Sequence, residues 1–265
     1  MDLNLGGKRA LVTGSSGGIG RAIAEMLAKE GSTVFVNGRS PANVENVVAA
    51  IREDGGDALP APGDLEEDDG RDAVLMAAGP IDILVNNVGG AVKEGVRPWP
   101  DVSASDWAAA FNKNVGGAAV LIRALLPAMT ARRWGRIINI STVAAIEPTG
   151  AIPEYAAAKA ALNSLTKSLS RAVAQTGITA NTVTSGIVMT PVTQRWIASY
   201  AAERGWPGDQ AEHEKRYARD VRALAVEAFA SAEDIAYAVA MLASPRSWYM
   251  TGANLRVDGG ASQSV

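Results

Sequence analysis

The sequence predicts an α/β protein in which helices cover both faces of a parallel sheet. Three observations carry that expectation. Short β-branched runs alternate with helical patterns along the 265 residues. Most of those runs lack a clean polar–apolar alternation, as strands buried on both faces should. The first of them runs straight into a glycine-rich turn and an amphipathic helix, "LVTGSSGGIGRAIAEML".

Taken in order, the strand candidates are Arg9–Gly14, Thr33–Gly38, Asp57–Pro62, Asp82–Asn87, Arg136–Ser141, Thr179–Thr184 and Asn254–Gly259. Glycine-rich turns rather than linkers separate the elements and no repeat is evident, so residues 1–265 read as one domain. The stretch after Asp64 leaves room for only a short third helix. Residues 190–230 are a long, charged, tryptophan-containing insertion before the last helix. It reads either as a lid over a substrate or as a helical surface excursion.

Composition narrows the function. Hydrophobic residues make up 48% and charged residues 20%, ordinary for a globular protein. With 25 basic and 28 acidic residues the net charge is −3, which gives no electrostatic reason to expect nucleic acid. The absence of cysteine excludes disulfides and thiolate metal sites, and the single histidine, His213, disfavours a zinc–histidine site. The start "MDLNLGGKRALVTG" has no cationic region followed by an apolar stretch, and no uninterrupted apolar run approaches a membrane span. A cytoplasmic protein without a membrane segment is therefore expected.

In the glycine turn, Gly14, Gly18 and Gly20 allow a tight bend, close approach to a pyrophosphate and close helix packing. The helix then points free N–H groups at the phosphates. The spacing is G-x-x-x-G-x-G rather than G-x-G-x-x-G. The same residues also spell G-x-S-x-G, so a hydrolase with Ser16 as nucleophile and His213 as base is a rival, although only thirteen residues precede Gly14. About 20 residues on, where a carboxylate would hold the ribose of NAD, stands "VNGRS". Without that carboxylate, Arg39 is free to pair with a 2′-phosphate, so NADP(H) is favoured over NAD(H).

A second cluster lies between Ile140 and Leu162. Pro153 suits a helix start and Gly177 its end. Between them Leu162, Leu165, Leu169 and Val173 form one apolar stripe at about 100° per residue. Tyr155 falls on that stripe and Lys159 at its edge, whereas Lys167 and Arg171 point away. An ammonium turned toward the core needs a purpose. Beside a phenol, it is expected to lower the tyrosine pKa and make Tyr155 a proton donor and acceptor near neutrality.

The segments "TGSSGGIG", "NNVGG", "NISTVAA", "YAAAK" and "YMTGANLRVDGG", in this order over nearly the whole chain, resemble the short-chain dehydrogenase/reductase family. The resemblance, closest to 3-oxoacyl-acyl-carrier-protein-reductase-like members, implies a doubly wound, Rossmann-like domain around a seven-stranded parallel sheet, assembled as a homotetramer. It implies that Tyr155 is the catalytic acid/base, Lys159 its partner and holder of the nicotinamide ribose, and Asn114 a support for a relay water. It also implies cofactor contacts from Gly14, Ser16, Gly18, Ile19, Gly20, Arg39, Asp64, Leu65, Asn87, Gly89, Tyr155, Lys159, Gly186, Val188 and Thr190, with Asn86 lining the same groove. No metal is implied. Gly116 and Gly117 next to Asn114 suggest a helix that is locally loosened or closely packed.

This chain departs from the family at three places. Thr142 occupies the catalytic serine position, with Ser141 one place earlier; neighbours in a strand face opposite ways, so one of the two addresses the substrate. The register favours Thr142. Ser185 stands where the family has proline, and Val88 where it often has alanine. The expected activity is interconversion of a carbonyl and a secondary alcohol on a small molecule. A 3-oxoacyl carrier-protein substrate is the alternative, with Arg132 and Arg133 offered to an acidic carrier. Trp196 and Trp206 of the insertion either stack on a ring substrate or pack under the lid. A non-catalytic dinucleotide sensor would need the glycine turn but not Tyr155 and Lys159.

Overall fold

The computed structural model describes residues 2–93, 99–148 and 150–263, and the backbone alone at 191 and 192. Seven parallel strands form one sheet: β1 (Arg9–Val12), β2 (Thr33–Val36), β3 (Asp57–Pro60), β4 (Ile83–Asn86), β5 (Gly135–Thr142), β6 (Ile178–Ser185) and β7 (Asn254–Val257). Their order across the sheet is β3-β2-β1-β4-β5-β6-β7, reversing direction between β1 and β4. In such a sheet ligands bind beyond the strand C-termini at that reversal. All seven expected strands are present. Ends that differ do so by one or two residues, for example at Gly14, whose φ of +63° takes the chain out of β1.

Helices α1 (Gly18–Lys29), α2 (Pro41–Glu53) and α9 (Ala232–Ala243) cover one face; α3 (Asp68–Ala78), α5 (Gly117–Ala131) and α6 (Pro153–Ala172) cover the other. Successive residues of one strand serve both. Ala10 and Val12 join Leu27, Val48 and Val239 in one core, while Leu11 joins Leu84, Leu121 and Met129 in the second. Each buried leucine or valine contributes about 2 kcal/mol, which fixes the register of both layers. Ser40 caps α2, and Ser231 with Asp234 forms a capping box on α9. Helix α1 carries no side-chain cap at Gly17, so its first N–H groups stay open at the reversal point.

Helix α4 (Ala104–Phe111) leads through a π-helical turn at Asn112–Gly116 into α5. That turn is the loosening expected beside Gly116 and Gly117. By length and composition the joined run Ala104–Ala131 could cross a membrane, yet Leu121, Ile122, Leu125 and Met129 are buried in the core. The 190–230 segment holds α7 (Pro191–Glu203) and α8 (Gln210–Arg216).

Candidate active site

The end of β1 is locked to the end of β4. Thr13 Oγ1 accepts from the backbone N–H of Asn87 (2.9 Å) and of Val88 (3.0 Å), and Asn87 Nδ2 donates to Thr13 O (2.9 Å). The glycines leave room for this junction. A Cβ on Gly20 would stand 2.4 Å from Gly14 O and 2.6 Å from Asn87 Nδ2, so no other residue fits there.

Two cavities follow one another along the groove. The first, of about 280 Å³, is lined by Gly14, Ser16, Arg39, Asp64, Leu65 and Lys113, among others. The second, of about 240 Å³, is lined by Ile19, Gly20, Ser141, Tyr155, Lys159 and Thr190, among others. Asn87 and Gly89 border both. A larger cavity of about 500 Å³ lies between α1, α2 and the start of α9, away from these residues.

Pro153 starts α6, and its first turn carries Tyr155. The Tyr155 hydroxyl hydrogen-bonds with the Thr142 side chain at the end of β5. Lys159 is 3% exposed, and its Nζ donates to Ile140 O at 2.9 Å. A Cβ on Gly89 would stand 2.6 Å from Lys159 Nζ and 2.5 Å from Asn114 Oδ1, so only glycine permits this packing. Asn114 is buried: its Nδ2 donates to Gly90 O (3.0 Å) and Ala110 O (2.9 Å), and its Oδ1 accepts from Gly90 N (2.9 Å). Asn114 therefore braces the loop after β4 with its side chain.

The model of the short chain dehydrogenase family matches residues 8–201. This chain belongs to that family. An oxidoreductase of Bacillus subtilis (strain 168) named YvaG is 35% identical over 271 residues, with both chains fully covered. The 3-oxoacyl-acyl-carrier-protein reductase FabG of Vibrio harveyi is 34% identical, covering 97% of this chain and 98% of its own. The L-sorbose reductase from Gluconobacter frateurii, solved with NADPH and L-sorbose, aligns over the whole of both chains with a TM-score of 0.91 and 31% identity. This short-chain dehydrogenase is thus a nicotinamide-dependent oxidoreductase of alcohol and carbonyl groups.

Several expectations change against the dehydrogenase's structure. Burial, not the ammonium, dominates Tyr155: it pushes the phenol up to about 12, and the Thr142 hydrogen bond lowers it only in part. Burial also brings Lys159 down from 10.5 to about 8. Asn86 lies beneath the groove, its Nδ2 donating to Asn139 Oδ1 at 2.8 Å. Of the three residues expected after β6, Thr190 lines the groove. Gly186 lines a separate cavity, with Asp258 Cα 2.8 Å from where a Cβ would stand, and Val188 is buried. Gly18 serves the turn through its φ of +55°.

The remaining alternatives also sort themselves. Ser141 Oγ is buried without a hydrogen-bond partner among the described residues, whereas Thr142 reaches Tyr155. His213 Nε2 sits 3.2 Å from Trp206 O, engaged within the insertion rather than with Ser16, which leaves the hydrolase reading without a base. Trp196 and Trp206 make edge contacts with Tyr217 and Tyr200 within the segment, and Trp196 stays exposed on its other side. Arg132 is spent on Ile81 O and Asp82, and Arg133 on Gln175 O.

Sequence reading missed Lys113 and the extent of Asn37. Asn37 Oδ1 accepts from Gly14 N, and its Nδ2 donates to Ala61 O and Gly63 O. A carboxylate there could accept but not donate, so the asparagine is a strut between β1, β2 and the β3 end. Only its position at a strand end hinted at this.

Proposed function

We propose that this protein is an NADP(H)-dependent reductase of small-molecule ketones, running in reverse as a secondary-alcohol dehydrogenase. The observation that carries the reading is that Tyr155, reached by the Thr142 side chain, lines the same cavity as buried Lys159. The groove fits a dinucleotide: α1 offers uncapped N–H groups, and Gly14, Gly20 and Gly89 let the β1–α1 turn and the loop after β4 pack closely along its floor. Arg39, exposed at the groove edge and in no ion pair among the described residues, favours the 2′-phosphate and thus NADP(H) over NAD(H).

When bound, the dinucleotide supplies the hydride that reaches the carbonyl carbon. The chain's own part is proton handling. Tyr155, neutral throughout the physiological range, donates its phenolic proton to the carbonyl oxygen, and Thr142 donates a second hydrogen bond to it. Lys159, charged below about pH 8, stabilises the phenolate that forms. Asn114 keeps the loop over Lys159 in place. The 190–230 segment acts as the substrate lid of a single 1–265 domain, with Thr190 as its hinge-side contact to the groove.

A small free substrate is favoured over a carrier-bound chain because Arg132 and Arg133 are already engaged locally. A homotetramer belongs to the same reading, since Ala156, Ala157 and Ala160 of α6 line an apolar groove beside Trp99 and Trp107. The test is NADPH consumption, with NADH as control, on ketones of graded size including a ketose and a 3-oxoacyl thioester. Turnover of small ketones that disappears in Tyr155→Phe supports the reading. Full turnover by Tyr155→Phe ends it.

A further inference from the structure

We propose that Lys113 is a further cofactor-holding residue, gripping the adenosine portion that NADP(H) and NAD(H) have in common. The inference rests on the reading above that the groove binds a nicotinamide dinucleotide. Lys113 belongs to the π-helical turn, is partly buried, and lines the cavity that also contains Asp64, Leu65 and Gly89. Its Nζ donates to Ala91 O at 3.1 Å, one of the three donors an ammonium has. No carboxylate among the described residues pairs with it. Its side chain lies across Gly90, with Cε and Nζ each 4.0 Å from where a Cβ would stand.

Lys113 and its neighbour Asn114 therefore grip the same loop, at Ala91 and Gly90 respectively, while Lys113 keeps donors toward the cavity. The sheet order fixes what those donors meet. Arg39 follows β2 and the Gly89–Ala91 loop follows β4, with β1 between them. Two strand spacings separate the walls by about 10 Å. If Arg39 takes the 2′-phosphate, Lys113 faces the ribose and base, whose oxygens and ring nitrogens accept hydrogen bonds.

The test is equilibrium titration of NADPH and NADH into the wild type and into Lys113→Met, Lys113→Arg and Arg39→Ala. Lys113→Met weakens both dinucleotides by the same factor, about tenfold, as expected for one charge-assisted hydrogen bond. Lys113→Arg recovers most of that loss, and Arg39→Ala weakens NADPH alone. Thermal melting of Lys113→Met near the wild-type midpoint excludes loss of the fold as the cause. Wild-type affinity in Lys113→Met, or a loss confined to NADPH, overturns the proposal. A wild type that binds neither dinucleotide defeats the reading of the groove itself, and the role of Lys113 with it.

Discussion

Replacing Lys159 by methionine should make the protein more stable and inactive at once. The fall of the Lys159 pKa from 10.5 to about 8, caused by desolvation, converts to about 3 kcal/mol of penalty on the buried ammonium. Its folded value lies below its unfolded value, so below pH 8 the native state carries the whole penalty. Between pH 8 and 10.5 the unfolded chain binds the proton and the native one does not, so stability rises with pH through that window. By pH 9 the penalty has shrunk to about 2 kcal/mol. Methionine removes it but forfeits the hydrogen bond to Ile140 O, which contributes about 1 kcal/mol. The net gain is about 2 kcal/mol at pH 6 and about 1 kcal/mol at pH 9. Urea unfolding of both ligand-free proteins at the two pH values reads this as a gap between midpoints that narrows with pH. A methionine variant less stable than wild type at pH 6, or a gap that does not change with pH, refutes the assignment of the penalty to a buried charge.

The hydroxyls of β5 should separate cleanly: Thr142→Ala lowers kcat by about 10²-fold and Thr142→Ser retains most of it. Ser141→Ala keeps activity and gains about 1 kcal/mol in urea unfolding, because it removes an unpaired buried hydroxyl. Ketone reduction should hold steady below pH 8 and decline above it as Lys159 loses its charge, measured as kcat/KM against pH. An Arg39→Asp variant should prefer NADH, with kcat/KM for NADPH falling about 10²-fold; unchanged preference removes Arg39 from the 2′-phosphate site.

The sheet was legible because most of its strands are β-branched runs set between glycine turns, β3 with its DALP sequence being the exception. The Tyr155–Lys159 pair was legible from helical spacing taken together with the glycine turn, and the π turn from two glycines inside an otherwise good helix. Three things were not. The tyrosine's pKa is raised by how deeply the ring is buried, a quantity spacing does not encode. Lys113 looks in sequence like any solvated helix lysine until the turn beneath it is unwound. The close packing of Gly186 on Asp258 depends on where β7 ends, which the residues after β6 do not reveal.

The missing methyl at Gly89 has a consequence for anyone wishing to redesign this catalyst. Lys159 and Asn114, from different helical segments, occupy the space a Cβ would take there, so any larger residue would displace one or both. Altered substrate range is better sought in the proposed lid, residues 190–230, leaving the groove as it is at Asn87 and Gly89.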